Sequence, residues 1–380
     1  MLSGEELYDR LISIPEYDEN IQSKKQAERL KGLSALYDIY LPSEMTIEIY
    51  SKLYLALIRS LEKKFTRAAV QQGYKNHAGS VMIESRGIIG GADSFSIIGR
   101  SGIGKSCAIN RAISIITENK TIMIEDESIE VIPCLVVQCP WDASVKSMLL
   151  EILRKTDEVL GTNYYISSKR NITTDVLIGS ASQVSLQHIG LLVIDEIQNC
   201  VDKKNGKSLV AMLTQLINNS GISICLVGTP ETNSLFKSAF QLARRTIGLQ
   251  YDIMKKDEYF NNFCKLLFSY QYVKNKTEIT LQIVDWLYEH TNGITAVVVS
   301  LIHDAQEIAI LTGYEILDIS MLNQAYSDRM SALHHHIDAK LPQPVKQKRK
   351  DAIVQTKKPT QILNIEYNPL FYEHITPMYL

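Results

Sequence analysis

One short stretch of the sequence carries its strongest structural signal: Gly99-Arg100-Ser101-Gly102-Ile103-Gly104-Lys105-Ser106. It matches the phosphate-binding pattern G-x-x-x-x-G-K-[ST], and its flanks fit the same motif, because an apolar strand (residues 95–98) precedes it and a helical stretch (107–117) follows it. Glycines allow backbone N–H groups to converge on a phosphate, and the N-terminus of the following helix adds partial positive charge. The sequence therefore predicts an ATP-binding loop.

Two residues of this loop have specific expected roles. Lys105 is expected to reach the β- and γ-phosphates of ATP, and the Ser106 hydroxyl is expected to ligate Mg²⁺. The residues expected to bind the nucleotide are Gly99, Ser101, Gly102, Ile103, Gly104, Lys105, Ser106, Cys107 and Asp195.

Asp195 and Glu196 follow the apolar run 191–194. If that run is a strand parallel to the one before the loop, both carboxylates lie at the same edge of the sheet as the loop. Asp195 is then expected to hold Mg²⁺ through water, and Glu196 to polarise the attacking water. An Asp-Glu pair after a buried strand is by itself usually a solvated loop start. Its place about 90 residues after a P-loop favours the catalytic role.

Polar residues near two later strands complete the predicted site. Thr229, at the tip of the next strand, is expected to contact the γ-phosphate or the attacking water. A cap on the helix that starts at Pro230 is an equally good reading, and the two are compatible. Arg244 or Arg245 is expected to reach a neighbouring subunit's nucleotide as an arginine finger, although an exposed basic pair is the alternative.

Composition limits the function classes. The net charge of -2 gives no global attraction to nucleic acid or acidic membranes, so such binding requires local basic patches. No apolar run is long enough to span a bilayer, and the N-terminus lacks the regions of a signal peptide, so we expect no membrane partner and a cytoplasmic location. The six cysteines include no Cys-x-x-Cys pair, which favours buried, reduced thiols.

The chain divides into four zones by pattern. Strand candidates alternate with helical stretches in the second zone, and the three central candidates are almost continuously apolar, as in a parallel sheet covered by helices on both faces. The zones are a mainly helical N-terminal extension (1–85), an α/β core (86–254), a helical lid (255–336) and a C-terminal tail (337–380). The strand candidates are 94–98, 132–139, 190–194, 222–227 and 246–254. The helix candidates outside the core are 45–65, 257–272, 280–290, 296–311 and 319–330.

The tail combines three features. Pro342 and Pro344 interrupt regular structure, a basic run covers 346–350, and an aromatic and apolar stretch covers 362–372. We interpret it as a flexible linker that carries a partner-binding peptide, with folding back onto the core as the alternative. The run 334–336, three adjacent histidines, is interpreted as a helix end, because adjacent helical histidines do not face one metal ion.

These motifs together resemble the initiator-like AAA+ ATPases and, more narrowly, the TnsC/TniB regulators of cut-and-paste transposons, including CRISPR-associated ones. The resemblance covers roughly residues 40–330 and is clearest in 191–199 (LLVIDEIQN), 226–231 and 240–245, with Gln72-Gly73-Tyr74 upstream. It implies an α/β AAA+ P-loop ATPase with a parallel sheet flanked by helices, a C-terminal helical lid and an N-terminal mainly helical extension.

The resemblance also implies a function. Such a protein forms ATP-dependent rings or filaments on double-stranded DNA and links a target-selection protein of the TniQ/TnsD type to the transposase. The core or N-terminal region would bind the selector, the tail would bind the transposase, and hydrolysis would control disassembly. The family's DNA contacts cluster on the segment that is 141–162 here, with Lys146 and Thr162 at the matching positions. A local basic excess supports this, although solvated helix faces are the alternative. Its members are Lys146, Arg154, Lys155, Lys169 and Arg170.

The sequence departs from the family pattern at one position, and two alternative functions remain. The stretch 293–298 lacks the arginine that many AAA+ proteins carry at the start of the third lid helix, which implies slow hydrolysis and weak coupling of the lid to the nucleotide. The main alternative is a helicase-loader or clamp-loader ATPase that remodels a ring on DNA. A signalling ATPase without a DNA role is a third.

Overall fold

The computed structural model describes residues 1–64, 66–79, 94–118, 121–124, 129–168, 173–238 and 248–331. Several predictions fall on residues outside these ranges. They are Arg244, Arg245, Lys169, Arg170, the run 334–336 and the whole tail 337–380.

A six-stranded sheet forms the centre of the described chain, in the order β2-β3-β4-β5-β1-β6. Five strands are parallel, and β2 pairs antiparallel with β3 at the edge. The strands are β1 Phe95–Gly99, β2 Ile122–Ile124, β3 Ile129–Gln138, β4 Ile189–Asp195, β5 Ser223–Gly228 and β6 Leu249–Tyr251. The parallel sheet predicted from the apolar runs is therefore confirmed.

Three details of the strand prediction were wrong. The short β2 was missed, because three apolar residues in a polar stretch give no periodic signal. Its pairing partners Ile129–Val131 also extend β3 beyond the predicted start at 132. The last strand was predicted over 246–254, but β6 covers Leu249–Tyr251, where it pairs with the end of β1.

Helices cover both faces of the sheet. On β4, Leu192 and Ile194 face a core built with α6, α8 and α9, whereas Leu191 and Val193 face a core built with α1, α3 and α5. Both sets are buried, which explains why these strands read as continuous apolar runs. The helices of the α/β core are α5 Lys105–Ile116, α6 Val145–Leu160, α7 Tyr164–Ser168, α8 Thr174–His188, α9 Gly206–Ser220 and α10 Asn233–Ser238.

A helical lid follows the sheet, and its four described helices lie close to the predicted ranges. Asp257, Thr280 and Asp318 each accept a backbone N–H three residues ahead and so begin three of the helices. The lid helices are α11 Glu258–Ser269, α12 Leu281–Thr291, α13 Thr295–Thr312 and α14 Ile319–Arg329.

The N-terminal region contributes to two cores. Its helices are α1 Gly4–Leu11, α2 Gln26–Gly32, α3 Glu44–Lys64 and α4 Arg67–Gly79. Leu7 and Leu53 belong to the sheet core, whereas Leu33 and Leu36 belong to the lid core. The described N-terminal elements therefore pack against both the α/β core and the lid rather than forming a core of their own.

Two sequence expectations meet a different outcome here. The helix α13, with a mean hydropathy of 1.3, is long and apolar enough to cross a membrane by length and composition, although no such run was predicted. Half of this helix is buried within the protein. Its apolar residues Val298, Leu301 and Ile302 belong to the lid core.

Five cysteines are buried thiols as predicted, but Cys107 is exposed because it lies on the first turn of α5 at the P-loop.

Candidate nucleotide site

The P-loop connects β1 to α5, as its motif predicts. Gly102 and Gly104 have φ values of 81° and 93°, in the left-handed region that favours glycine. A Cβ on Gly102 would also lie 2.9 Å from the Ile294 Cγ2 atom of the lid. Glycine is therefore needed at position 102 both for the turn and for the approach of the lid.

Lys105 is held inside this loop. Its Nζ atom donates hydrogen bonds to the carbonyl oxygens of Gly99 at 2.6 Å and Arg100 at 2.7 Å. Burial lowers the pKa of the Lys105 ammonium group. The carboxylates of Asp195, Glu196 and Glu231 oppose that shift. The cationic group thus lies next to the loop that is expected to bind phosphate, with acidic side chains nearby.

Ser106 and Asp195 meet across the sheet edge. The Ser106 Oγ atom lies 3.4 Å from Asp195 Oδ2, and Asp195 Oδ1 accepts the Glu196 backbone N–H at 2.8 Å. They are close because β1 and β4 both border β5 and end at the same edge. A hydroxyl beside a carboxylate is a ligand pair that suits Mg²⁺ with water in its remaining positions. The two residues predicted to hold the metal fit that ion.

The backbone conformation of Glu196 and one neighbouring side chain determine where its carboxylate points. Its φ of 59° places it in the left-handed region, immediately before the 3₁₀ turn Ile197–Cys200. Gln198 donates a side-chain hydrogen bond to the Glu196 carboxylate and accepts one from the Thr229 backbone N–H at 3.3 Å. Gln198 lies within the motif 191–199, but its role could not be predicted from the sequence, because the 3₁₀ turn determines where its side-chain amide points.

Thr229 lies at the tip of β5, in the cleft, as predicted. It occupies the N-cap position before Pro230, but its side chain makes no capping hydrogen bond. Instead, a hydrogen bond from the Thr229 side chain lowers the pKa of Glu231. The hydroxyl is thus engaged with a carboxylate beside the site.

The cleft has a second, mainly apolar half that no sequence motif predicts. The whole cleft has a volume of about 450 Å³, and the apolar walls of this half come from the N-terminal region, Met254 and the lid. These lining residues are Tyr37, Ile39, Tyr40, Leu41, Met45, Met254, Tyr259, Phe263 and Val299. No short motif marks them, since they come from segments more than 200 residues apart in sequence.

The lid contacts the P-loop directly. The Thr295 hydroxyl donates to the Gly102 carbonyl at 2.8 Å, and the Ala296 backbone N–H donates to the same oxygen at 3.0 Å. Both residues begin α13, the third lid helix, where the expected arginine is missing. A pair of neutral hydrogen bonds therefore connects lid and loop at that position.

The two predicted DNA residues lie at opposite ends of α6. Lys146 is exposed on its first turn, and Thr162 follows its last turn, where the hydroxyl donates to Asp157 at 2.6 Å. A helix of 16 residues separates them by about 24 Å. The basic excess expected around them is reduced, because Glu151 and Glu158 form ion pairs with Arg154, and Glu158 with Lys155.

Comparisons with known proteins give one family match and several similar solved structures. Residues 90–250 match the family model described as bacterial TniB protein. No curated protein matches the sequence. Among solved structures, the chain is similar to the Aeropyrum pernix ORC1 protein in complex with DNA, at 12% identity over 68% of this chain and 64% of that one, with a TM-score of 0.46. It is also similar to the Aeropyrum pernix ORC2 protein in its ADP form, at 15% identity over 68% of this chain and 66% of that one, with a TM-score of 0.45.

The chain therefore spans about two thirds of the length of each of these two ORC chains. The parallel sheet, the P-loop, the Asp-Glu pair and the helical lid define a AAA+ ATPase fold with a nucleotide site. Its core, residues 90–250, is of the TniB/TnsC type.

Proposed function

We propose that this protein is an ATP-dependent regulator of transposition that assembles on double-stranded DNA and links a target-selection protein to the transposase. The observation that carries the proposal is the meeting of Lys105, Ser106, Asp195 and Glu196 in one cleft of a TniB-type core. This arrangement supports nucleotide binding and hydrolysis. The match to the TniB family supports a role for that nucleotide in transposition.

The cleft supports ATP as the nucleotide. Its loop and Lys105 suit phosphates, whereas the apolar half lined by Tyr259 and Phe263 suits a purine ring. Ser106 and Asp195 would hold Mg²⁺, which when bound neutralises phosphate charge. Glu196 would take a proton from the attacking water, and Thr229 would contact the γ-phosphate or that water.

Assembly is the second part of the proposal. Arg244 or Arg245 would complete a neighbouring subunit's site, so that ATP favours the ring or filament and hydrolysis releases it. Lys146 and Thr162 would contact DNA. The exposed Lys146 supports this role, whereas the hydroxyl of Thr162 must first leave Asp157.

The partner assignments rest on the sequence. The linker and the aromatic peptide of the tail would recruit the transposase, and the core or N-terminal region would bind a selector of the TniQ/TnsD type. Removal of residues 341–380 is then expected to spare ATP hydrolysis and DNA assembly but to abolish transposition and transposase pull-down. If the truncated protein misfolds or loses ATPase activity, the tail folds back onto the core and the recruitment role fails.

The nucleotide part is tested first. Cys107 is the one exposed cysteine of six and lines the cleft, so ATP with Mg²⁺ is expected to slow its reaction with a maleimide. Lys105→Ala is expected to lose that protection while keeping the unprotected labelling rate. Equal labelling of wild type with and without ATP would exclude a nucleotide in this cleft.

The DNA part is tested by electron microscopy and salt titration. With a non-hydrolysable ATP analogue, the wild type is expected to coat duplex DNA with little sequence preference, and its affinity is expected to fall steeply with salt because phosphate contacts release counterions. Lys105→Ala is the matched control and is expected not to assemble. Nucleotide-independent binding as a monomer would contradict the proposal and favour a different DNA role.

A further inference from the structure

Two loops at the carboxyl ends of the adjacent strands β3 and β4 are joined into one surface. The β3 loop comprises residues 139–144, and the β4 loop comprises residues 196–205. The side-chain amide of Asn199 donates to the Cys139 carbonyl at 3.0 Å, and that of Asn205 donates to the Asp142 carbonyl at 3.3 Å. These hydrogen bonds hold the two loops side by side.

This surface carries an exposed aromatic ring and several exposed lysines. Trp141 is 79% exposed, although indole rings are normally largely buried. Four exposed lysines belong to the same region: Lys203 and Lys204 on the β4 loop, and Lys146 and Lys207 on the helices that follow the two loops. Three acids lie on the loops, Asp142, Glu196 and Asp202, so four lysines against three acids leave a positive excess of one charge.

The lysines are not neutralised by neighbours. Among the residues that the structure describes, none of the four forms an ion pair. Arg154 and Lys155, farther along α6, do form ion pairs with Glu151 and Glu158. The unpaired lysines of this region are thus those of the β4 loop and of the first turns of α6 and α9, rather than those farther along α6.

Both loops also contain a strained backbone. Ala143 and Asp202 have φ values of 53° and 56°, in the left-handed region, without being glycine. Such residues cost about 1–3 kcal/mol each and occur most often at functional sites. The strained residues therefore lie on the same two loops that carry Trp141, Lys203 and Lys204.

We propose that Trp141, Lys203, Lys204 and Lys207 form, with Lys146, a contact surface for the backbone of duplex DNA. Ammonium groups suit phosphates, and an exposed indole beside them packs on the sugar and base edges. This inference rests on the proposed DNA function and adds the ends of β3 and β4 to the DNA contacts proposed at Lys146 and Thr162. The β4 loop was absent from the sequence prediction, because its lysines are interspersed with Asp202 and Asn205.

The test compares two double variants with the same change of charge. Lys203→Glu with Lys204→Glu alters the proposed surface, and Lys31→Glu with Lys265→Glu alters exposed lysines of α2 and α11. Binding of a duplex is measured with the non-hydrolysable ATP analogue across a salt series. Thermal melting and ATP protection of Cys107 check that both proteins are folded and bind nucleotide.

The surface variant is expected to bind duplex DNA roughly 10- to 100-fold more weakly at 0.1 M salt, with a log–log salt slope lower by about 2 per protomer. The control is expected to stay within about threefold of wild type, since charge far from the backbone is screened. Equal losses in the two variants, or no loss in either, would overturn the surface while leaving DNA binding by the protein intact. Absence of DNA binding by wild type would overturn both this surface and the DNA part of the proposed function.

Trp141 has its own test. Trp141→Ala is expected to weaken binding about tenfold without a change in salt slope, because an aromatic contact releases no counterions. Trp141→Phe is expected to recover most of the affinity. Wild-type affinity in Trp141→Ala would remove the indole from the surface, and a changed slope would contradict its aromatic role.

Discussion

The nucleotide cleft has two halves that are built differently. The polar half comes from the ends of three adjacent strands, β1, β4 and β5, and from the loops directly after them. The apolar half comes from the N-terminal region and the lid, which are tied together over long sequence distances, as by Tyr259 donating to the Leu41 carbonyl at 2.7 Å. One half is local in sequence, and the other is assembled only in the folded chain.

The difference separates two kinds of effect. In the polar half, changes at Glu196 and Gln198 should act on the rate of hydrolysis, because these groups lie where the attacking water is proposed to bind, whereas Lys105 should act on nucleotide binding. Changes in the apolar half should act on stability or nucleotide affinity, because its groups hold the lid and the N-terminal region in place. A variant in one half that produced the effect expected of the other half would show that the two halves are coupled.

The largest effect is expected at Glu196. Glu196→Gln keeps the size and the hydrogen bond to Gln198 but removes the base, so kcat for ATP hydrolysis should fall about 10²- to 10⁴-fold. ATP protection of Cys107 should be unchanged, and the assembled state on DNA should persist. Steady-state phosphate release measures the rate. Unchanged hydrolysis would remove Glu196 from the role of base.

The next effect should appear in stability, and it concerns the contact between the N-terminal region and the lid, which together supply the apolar half. Arg29 forms a buried ion pair with Glu315, at 2.6 Å, and also donates to the Tyr272 carbonyl, so it joins α2 to the lid. Arg29→Met leaves Glu315 without its partner and should lower the free energy of unfolding by about 3–5 kcal/mol. Arg10→Met is the control: its ion pair with Glu118 is exposed, and its loss should cost at most about 1 kcal/mol.

This effect should depend on pH in one direction. The hydrogen bonds from Arg29 lower the pKa of Glu315. The pair therefore stabilises the fold above the unfolded pKa of about 4.3, and that contribution is lost as the pH falls through the lower folded pKa. Denaturant unfolding at pH 7 and near pH 3 should show the difference between wild type and Arg29→Met shrinking. A constant difference would assign it to lost packing rather than to charge.

The same division explains what could be predicted from sequence. Lys105, Ser106, Asp195 and Glu196 were identified because each follows a strand or opens a helix within a short motif, and parallel strands bring their ends together. Tyr259 and Leu41 could not be paired, because nothing in either segment indicates that residues over 200 positions apart line one cleft. Gln198 lay inside a quoted motif, but its role depends on a turn whose direction the motif does not encode.

A smaller effect on kcat is expected at Gln198, and it tests whether the polar half positions the base. Gln198 holds the Glu196 carboxylate against the Thr229 backbone, so it is a positioning residue. Gln198→Ala should lower kcat about 10- to 100-fold with little change in KM, because misplacement of the base affects the reaction and not ATP binding. Asn199→Ala is the matched control, since that amide donates to Cys139 and not to Glu196. A rise in KM without a fall in kcat would show that Gln198 acts on binding.

The smallest effect is expected where the two halves meet, at Thr295. Its hydroxyl and the Ala296 N–H share one acceptor, the Gly102 carbonyl, so Thr295→Val removes one hydrogen bond and leaves the other. A net loss of about 1 kcal/mol corresponds to roughly fivefold weaker ATP binding, because the lid would hold less firmly against the P-loop. Thr312→Val, at the far end of the same helix, removes a hydroxyl bonded to the Ile308 carbonyl and should leave ATP affinity unchanged. Isothermal titration gives the affinity, and phosphate release gives kcat. If Thr295→Val instead lowered kcat as much as Gln198→Ala does, the lid would control the chemistry of the polar half, and the separation between the two halves would not hold.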